Sequence, residues 1–154
     1  MEQTFVILKP STISRSLVGD VIERYQRKGL KIAGIKMMQL GEEILREHYA
    51  HLVDRPFFPL LVKSMTATPV IVMVLEGKDA VAVVRAMTGA TNARNAVPGT
   101  IRGDFGMSGQ ENLVHASDSV ENAKIEINRF FRPEEIFNYG LVTVPAIYSP
   151  DEMD

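Results

Sequence analysis

Pro69-Val70-Ile71-Val72-Met73-Val74-Leu75-Glu76-Gly77 sets six apolar residues, four of them β-branched, between a proline and a glycine. Side chains of that shape suit a pleated sheet, and the run is too short for an independent helix, so it reads as the strongest strand of the chain. Upstream, residues 5–8 (Phe5-Val6-Ile7-Leu8) form a second buried run that stops at Lys9-Pro10. Between them, Leu17, Val18, Val21, Ile22 and Tyr25 recur at helical spacing, with Ser11 or Thr12 as a hydroxyl cap and Gly29 as the terminating glycine. Residues 31–40 alternate as a strand, with Ile32, Gly34, Lys36 and Met38 on one face and Ala33, Ile35 and Met37 on the other. Residues 42–52 read as a helix, and Pro56-Phe57-Phe58-Pro59 leads into a shorter one through Met65.

Downstream of Gly77, residues 78–87 are helical, with Ala80, Val81 and Val84 on the apolar stripe. Residues 89–110 lose all periodicity, and a structureless stretch of that length is usually functional or disordered. Residues 112–116 read as a last strand. Asp118 and Glu121 have the spacing of a capping box, ahead of a helix burying Ala123, Ile127, Phe130 and Phe131. The resulting β-α-β-β-α-β core predicts a ferredoxin-like α/β sandwich, an antiparallel sheet covered by helices. It predicts one domain over residues 1–154, with a long functional loop and an irregular tail from about residue 140.

Composition narrows the function classes. At 154 residues the chain buries roughly 70% of its unfolded surface, enough for a core. Its 45% hydrophobic and 23% charged residues exclude a disordered or fibrous protein. Lys and Arg total 17 against 19 Asp and Glu, a net charge of −2, so a nucleic-acid binder working by phosphate neutralisation is disfavoured. An anionic ligand must instead be held by a few placed cations. The absence of Cys removes disulfides, thiolate zinc sites and cysteine nucleophiles, and suits a reducing compartment. Met1-Glu2-Gln3-Thr4 lacks the basic start of a secretory leader, and no apolar run nears the ~18 residues of a membrane span. A cytoplasmic location without membrane attachment is expected.

Nucleotide-binding motifs of the common kinds are missing: Gly103, Gly106 and Gly109 are not spaced as a dinucleotide fingerprint, and no P-loop exists. His115 ends a predicted strand just before Ala116-Ser117-Asp118-Ser119, a polar turn at a helix N-terminus where anions are favoured. A histidine there is either a neutral nucleophile, with Glu126 two turns along to orient it, or a strand-end residue bonded to backbone. Arg85, Thr91, Arg94, Thr100 and Arg102 flank or occupy the long loop. Guanidinium forks and hydroxyls suit a polyphosphate; alternatively, these arginines pair with Asp104 and Glu76. Lys9 adds a cation near the same sheet edge. Phe57, on a proline-rich turn, either stacks a base or packs in the core. No amide side chain stands near Phe57 in the sequence to read a base edge, so weak base discrimination is expected. His48 and His51 lie three apart on a predicted helix, as a metal pair lacking a third ligand or as ordinary half-buried residues.

Several stretches together resemble the nucleoside diphosphate kinase family: residues 5–10, His48-Tyr49, residues 54–62 (DRPFFPLLV), residues 98–105 (PGTIRGDF) and residues 112–119 (NLVHASDS). The resemblance runs from about Thr4 to Tyr139 without an evident gap. It implies the same ferredoxin-like fold and a ping-pong transfer of the terminal phosphate of ATP, or another nucleoside triphosphate, to a nucleoside diphosphate through a phosphohistidine. It implies His115 as nucleophile, with Glu126, Ser117 and Tyr49 as its supports. Lys9 and Asn112 would serve the ribose and phosphates, Arg55, Arg85, Thr91 and Arg102 the phosphates, and Phe57 and Leu61 the base. Asp118 would lie near a Mg²⁺ carried by the nucleotide. A homo-oligomer, hexamer or tetramer, is implied as well. Two departures stand out. Lys9-Pro10-Ser11-Thr12 replaces the common Lys-Pro-Asp-Gly, so hydroxyl capping of the first helix is expected. Thr91-Asn92-Ala93-Arg94 lacks the proline of Thr-Asn-Pro-Ala, which loosens one side of the loop.

Overall fold

Strands β1 (Glu2–Leu8), β2 (Lys31–Met38), β3 (Val70–Gly77) and β4 (Val114–Ala116) form an antiparallel sheet in the order β2-β3-β1-β4, in a computed structural model that describes residues 1–153. That order is the ferredoxin-like sandwich the sequence predicts. β1 and β3 lie in the middle, in register from Glu2 opposite Gly77 to Leu8 opposite Ile71. Successive residues of a strand face opposite ways, so the two runs feed two cores. Phe5 and Ile7 join Val70, Val72 and Val74 on one face, while Val6 and Leu8 join Ile71, Met73 and Leu75 on the other. Both faces are covered, which is why neither run shows polar alternation.

Helices α2 (Val18–Lys28) and α5 (Ala80–Thr88) cover the second face through Val21, Tyr25, Ala80 and Val84. Helices α3 (Glu42–His48), α4 (Phe58–Met65) and α7 (Val120–Phe130) cover the first through Leu45, Phe58, Met65, Ile127 and Phe130. The expected helix over 42–52 breaks at Tyr49 into α3 and a 3₁₀ turn at Ala50–Leu52. Gly29 ends α2 at φ 104°, the left-handed conformation that glycine adopts without strain.

Five expectations are corrected. The first connection is two helices, α1 (Pro10–Ser14) and α2, parted where Ser16 takes φ 56°. Ser11 and Thr12 do not cap α1: its cap position is Lys9, with no side-chain bond. The hydroxyls reach across the chain instead, Ser11 Oγ accepting from the Leu113 N–H (3.3 Å) and Thr12 Oγ1 donating to the Leu113 carbonyl (2.6 Å).

On β2 a bulge between Ile32 and Gly34 splits the predicted alternation. Ile32 packs into the second core, whereas Met38 packs on the first and Ile35 and Met37 are left 48% and 59% exposed. The segment 89–110 is not structureless, since it contains a 3₁₀ turn (Ala93–Asn95) and α6 (Ile101–Phe105). Thr100 caps α6, its Oγ1 accepting from the Gly103 N–H at 2.9 Å. At α7 the cap is Ser119, bonded by the Asn122 N–H, and not Asp118. The tail returns to the body through a short α8 (Val144–Ile147), after which the Tyr148 hydroxyl accepts from the Lys78 N–H.

Candidate active site

β4 is three residues long because Leu113, fully buried, takes φ 75° and turns the chain out of the ladder. A left-handed leucine is strained and persists where its surroundings over-determine it. Here the Lys9 N–H (2.8 Å) and Thr12 Oγ1 both donate to its carbonyl, and Ser11 takes its N–H. The turn brings Asn112 against the end of β1, where Lys9 Nζ donates to Asn112 Oδ1 at 2.7 Å. Asn112 Nδ2 in turn donates to the Thr91 (2.8 Å) and Gly109 (2.9 Å) carbonyls, pinning both ends of the long segment.

Arg102 is buried on α6 and donates to three backbone carbonyls: Asn112 (3.2 Å), Gly89 (3.1 Å) and Val114 (2.7 Å). Arg85 donates to the Ala116 carbonyl at 3.4 Å. Neither arginine pairs with a carboxylate among the described residues; Asp104 pairs with Arg24 and Glu76 with Lys31. The alternative reading, in which they tie the loop to Asp104 and Glu76, is therefore not the arrangement found. Lys9, Arg85 and Arg102 converge on one cavity, and none of the three forms a salt bridge among the described residues. Burial, and then the Arg102 charge, lowers Lys9 to about 8, and burial followed by the Arg85 charge lowers Arg102 to about 10. Such a cluster favours a polyanion that restores the balance.

His115 sits opposite Ile7 on β4, its side chain 21% exposed. Its Nε2 is in close contact with Glu126 Oε2, which α7 presents from its buried face. The His48 ring stands edge-on to His115, with centroids 4.6 Å apart, and Tyr49 lies 6.3 Å away. Burial, then the Glu126 charge, raises the Tyr49 phenol well above its usual value, so it stays protonated. Ser117 is buried nearby, but its Oγ donates to the Phe5 carbonyl (3.4 Å) rather than to His115 or Glu126. The Ser117 N–H bonds to the same carbonyl at 3.1 Å, which ties the chain just after β4 to β1. Asp118 is exposed, and the Asn122 amide donating to its Oδ1 (2.6 Å) holds its pKa below the usual carboxylate value.

A cavity of about 650 Å³ joins these groups, within the range of small-molecule sites. Lys9, Arg85, Thr91, Arg102 and Asn112 line one part, and His115, Glu126, Tyr49 and Asp118 the floor beside it. Phe57 and Leu61 line the outer end, Phe57 being 41% exposed rather than a core residue. Arg55 is exposed on the turn before Phe57 and is not part of the wall, nor is Ser117. Two wall residues escape the sequence reading. His48, there an ordinary helix histidine, is buried beside His115; its signal was the adjacent Tyr49 at the helix end. Gln110 adds an amide to the wall, on a loop held to α4 where Ser64 Oγ donates to Glu111 Oε1 at 2.6 Å.

The sequence profile of nucleoside diphosphate kinase matches residues 2–136. The chain is 55% identical over 152 residues to a nucleoside diphosphate kinase of Parabacteroides distasonis, covering 99% of each chain. It is 48% identical to nucleoside diphosphate kinase B of Bos taurus, covering 96% of this chain and 97% of the other. Among solved structures, it is similar to a halophilic nucleoside diphosphate kinase from Halobacterium salinarum in complex with CDP, with TM-score 0.92 and 44% identity, covering 96% of this chain and 98% of that one.

Proposed function

The chain belongs to the nucleoside diphosphate kinase family, and we propose that His115 is the nucleophile of its reaction. That reaction moves the terminal phosphate of a nucleoside triphosphate, mainly ATP, to a nucleoside diphosphate in two ping-pong halves through a phosphohistidine, and so maintains the NTP and dNTP pools. The observation that carries the assignment is the close contact of His115 Nε2 with buried Glu126 at the wall of a cation-lined cavity. A carboxylate accepts, so Nε2 holds the ring proton and Nδ1 keeps the lone pair. As Nδ1 bonds to the terminal phosphorus, the bond from that phosphorus to the bridging oxygen breaks and the electron pair leaves with the nucleoside diphosphate; the ring becomes positive, and Glu126 stabilises that charge from the opposite side.

Arg102 has five N–H donors in all. Three hold carbonyls, which leaves two to reach phosphate oxygens. Arg85, Thr91 and the two free donors of Lys9 complete the clamp, with Asn112 serving the ribose and the phosphates folded against it. Phe57 and Leu61 form a slot whose affinity is mostly apolar, hence tolerant of different bases. Arg55, outside the wall, would engage phosphate only from the rim. Mg²⁺ arrives with the nucleotide; a single ionised carboxylate beside phosphates suits that hard cation, and Asp118 is the residue to hold it. When bound, the ion neutralises phosphate charge.

The reading extends to one domain over the whole chain, to a homo-oligomer (hexamer or tetramer) and to a cytoplasmic location. Exposed Ile35 and Met37 on edge strand β2 support assembly, and the Cys-free composition supports a reducing compartment. Among the described residues, no helix is long and apolar enough to cross a membrane. Initial rates with ATP and several nucleoside diphosphates test the mechanism. Parallel double-reciprocal lines are expected; intersecting lines would mean direct transfer without a phosphoenzyme. Nucleotide binding without turnover would favour a regulatory protein on the same fold.

A further inference from the structure

His48 is almost wholly enclosed, with a side chain 2% exposed, packed edge-on against Tyr49, His115 and Phe130. Arg129 Nη1 lies 2.9 Å from its Nδ1. An arginine can only donate, so Nδ1 must be the accepting nitrogen. Burial pushes the pKa of His48 far below the ordinary imidazole value, with the neighbouring His115 and Arg129 adding to the effect, and the ring is therefore neutral. A neutral ring whose Nδ1 accepts carries its one proton on Nε2. That nitrogen is buried without a hydrogen-bond partner, and it faces Glu126 Oε2 at 3.8 Å.

His48, His115 and Glu126 bring their ligand atoms within 4.8 Å of one another, the geometry of a two-histidine, one-carboxylate metal site. The Arg129 contact argues against that use. A metal on His48 Nε2 would need the proton moved to Nδ1, where it would oppose the Arg129 N–H.

We propose that His48 is a positioning residue for phosphoryl transfer, its Nε2–H serving as a second, fixed donor that holds the Glu126 carboxylate against His115. The inference rests on His115 being the nucleophile. One carboxylate oxygen then lies between two imidazole N–H groups, one from the reacting ring and one from a ring that Arg129 and the aromatic packing prevent from turning. A buried N–H without a partner is costly, so closing the gap to an ordinary hydrogen-bond length of about 2.9 Å is favourable. The cluster makes Glu126 a rigid support for the charge that develops on His115, at no cost in reorganisation during transfer.

The test compares two substitutions of different chemistry. In His48→Gln the side-chain amide nitrogen can occupy the place of Nε2 and donate; in His48→Phe the aromatic shape is kept among Phe5, Tyr49 and Phe130 but the donor is lost. Single-turnover phosphorylation of His115 is measured at saturating ATP and Mg²⁺, with folding checked by circular dichroism. The Phe variant should be slowed about a hundredfold, the scale of a misplaced reacting group, and the Gln variant should recover most of that loss. If His48→Phe is as fast as the wild type, or both variants are slowed equally, the donor role is refuted. A wild type labelled somewhere other than His115 would instead refute the nucleophile assignment, and this role with it. Independently of any variant, ¹⁵N NMR of the wild-type imidazoles at neutral pH should show His48 protonated on Nε2 and bare on Nδ1; the opposite tautomer would overturn the proposal.

Discussion

The two ends of the cavity are built on different principles. At the phosphate end, Lys9, Asn112 and Arg102 are locked into backbone carbonyls and one another, and the strained Leu113 turn holds them in place. At the base end, Phe57 is 41% exposed on a turn, and Gln110 makes no side-chain hydrogen bond among the described residues. On the proposed reading, binding energy is thus concentrated where the bond is broken, and the base contributes mostly through an apolar face. An enzyme that must accept many bases and catalyse one chemical step gains from that division, because interactions at the transferring group can strengthen in the transition state. The base end would then add affinity without much selection.

Removing Arg102 should break the comparison most sharply. If Arg102 donates to the transferring phosphate as proposed, Arg102→Ala should, by analogy with oxyanion-hole deletions, lower kcat by roughly a hundred- to a thousandfold. It also frees the Gly89, Asn112 and Val114 carbonyls, so thermal stability should fall as well. Arg102→Lys separates the effects, since it keeps the charge and loses the fork. A folded Arg102→Ala enzyme with an unchanged rate would leave the residue a purely architectural role.

The next effect is a dependence on pH at the phosphate end alone. With Lys9 at about 8 in the free protein against an ordinary lysine value of 10.5, nucleotide affinity should fall as pH rises through about 8, because the bound phosphates need the ammonium. Stability moves the other way. The folded state binds fewer protons than the unfolded chain between those two values, so the penalty for burying a charged Lys9 is full below about 8 and fades as pH rises through that window. Calorimetric titration with a nucleoside diphosphate should show the decline in affinity in wild type, and Lys9→Met should flatten it. An equally steep profile in the variant would assign the titration elsewhere.

The base end should yield the smallest changes. Phe57→Ala should raise KM for all nucleoside diphosphates by a similar factor, about tenfold, as expected for losing one stacked base worth about 1–3 kcal/mol. Efficiencies for adenine, guanine and pyrimidine substrates should agree within about two orders of magnitude, and Gln110→Ala should narrow the spread further. A loss confined to one base on removing Phe57 or Gln110 would mean that this end reads the base edge, and the contrast between the ends would weaken.

The two ends also differed in how much their sequence disclosed. Strands β1 and β3 are legible because residues buried on both faces leave uninterrupted apolar runs, and Gly29 announces the end of α2 through its backbone freedom. His115, Asn112, Arg102 and Lys9 stand in recognisable local patterns. The roles of Ser11 and Thr12 were hidden because their partner, Leu113, lies about a hundred residues away, and a local capping rule cannot weigh a long-range bond. Helix α6 was hidden by its length of five residues, too few for periodicity, although Thr100 three residues before Gly103 was a cap signal. Ser119 displaced Asp118 as the cap of α7 by a single position, which leaves the Asp118 carboxylate in the cavity wall. His48 looked like an ordinary half-buried histidine because nothing in its helix reveals that His115 and Glu126 close over it.

The central claim is that the phosphate end works through a covalent bond to one imidazole. Incubation with γ-labelled ATP and Mg²⁺, without acceptor, followed by denaturation and peptide mapping, tests it most directly. The label should be acid-labile and base-stable, lie on His115 through Nδ1, be discharged by added nucleoside diphosphate, and be absent from His115→Ala. Labelling of His115→Ala as strong as that of the wild type would contradict the account.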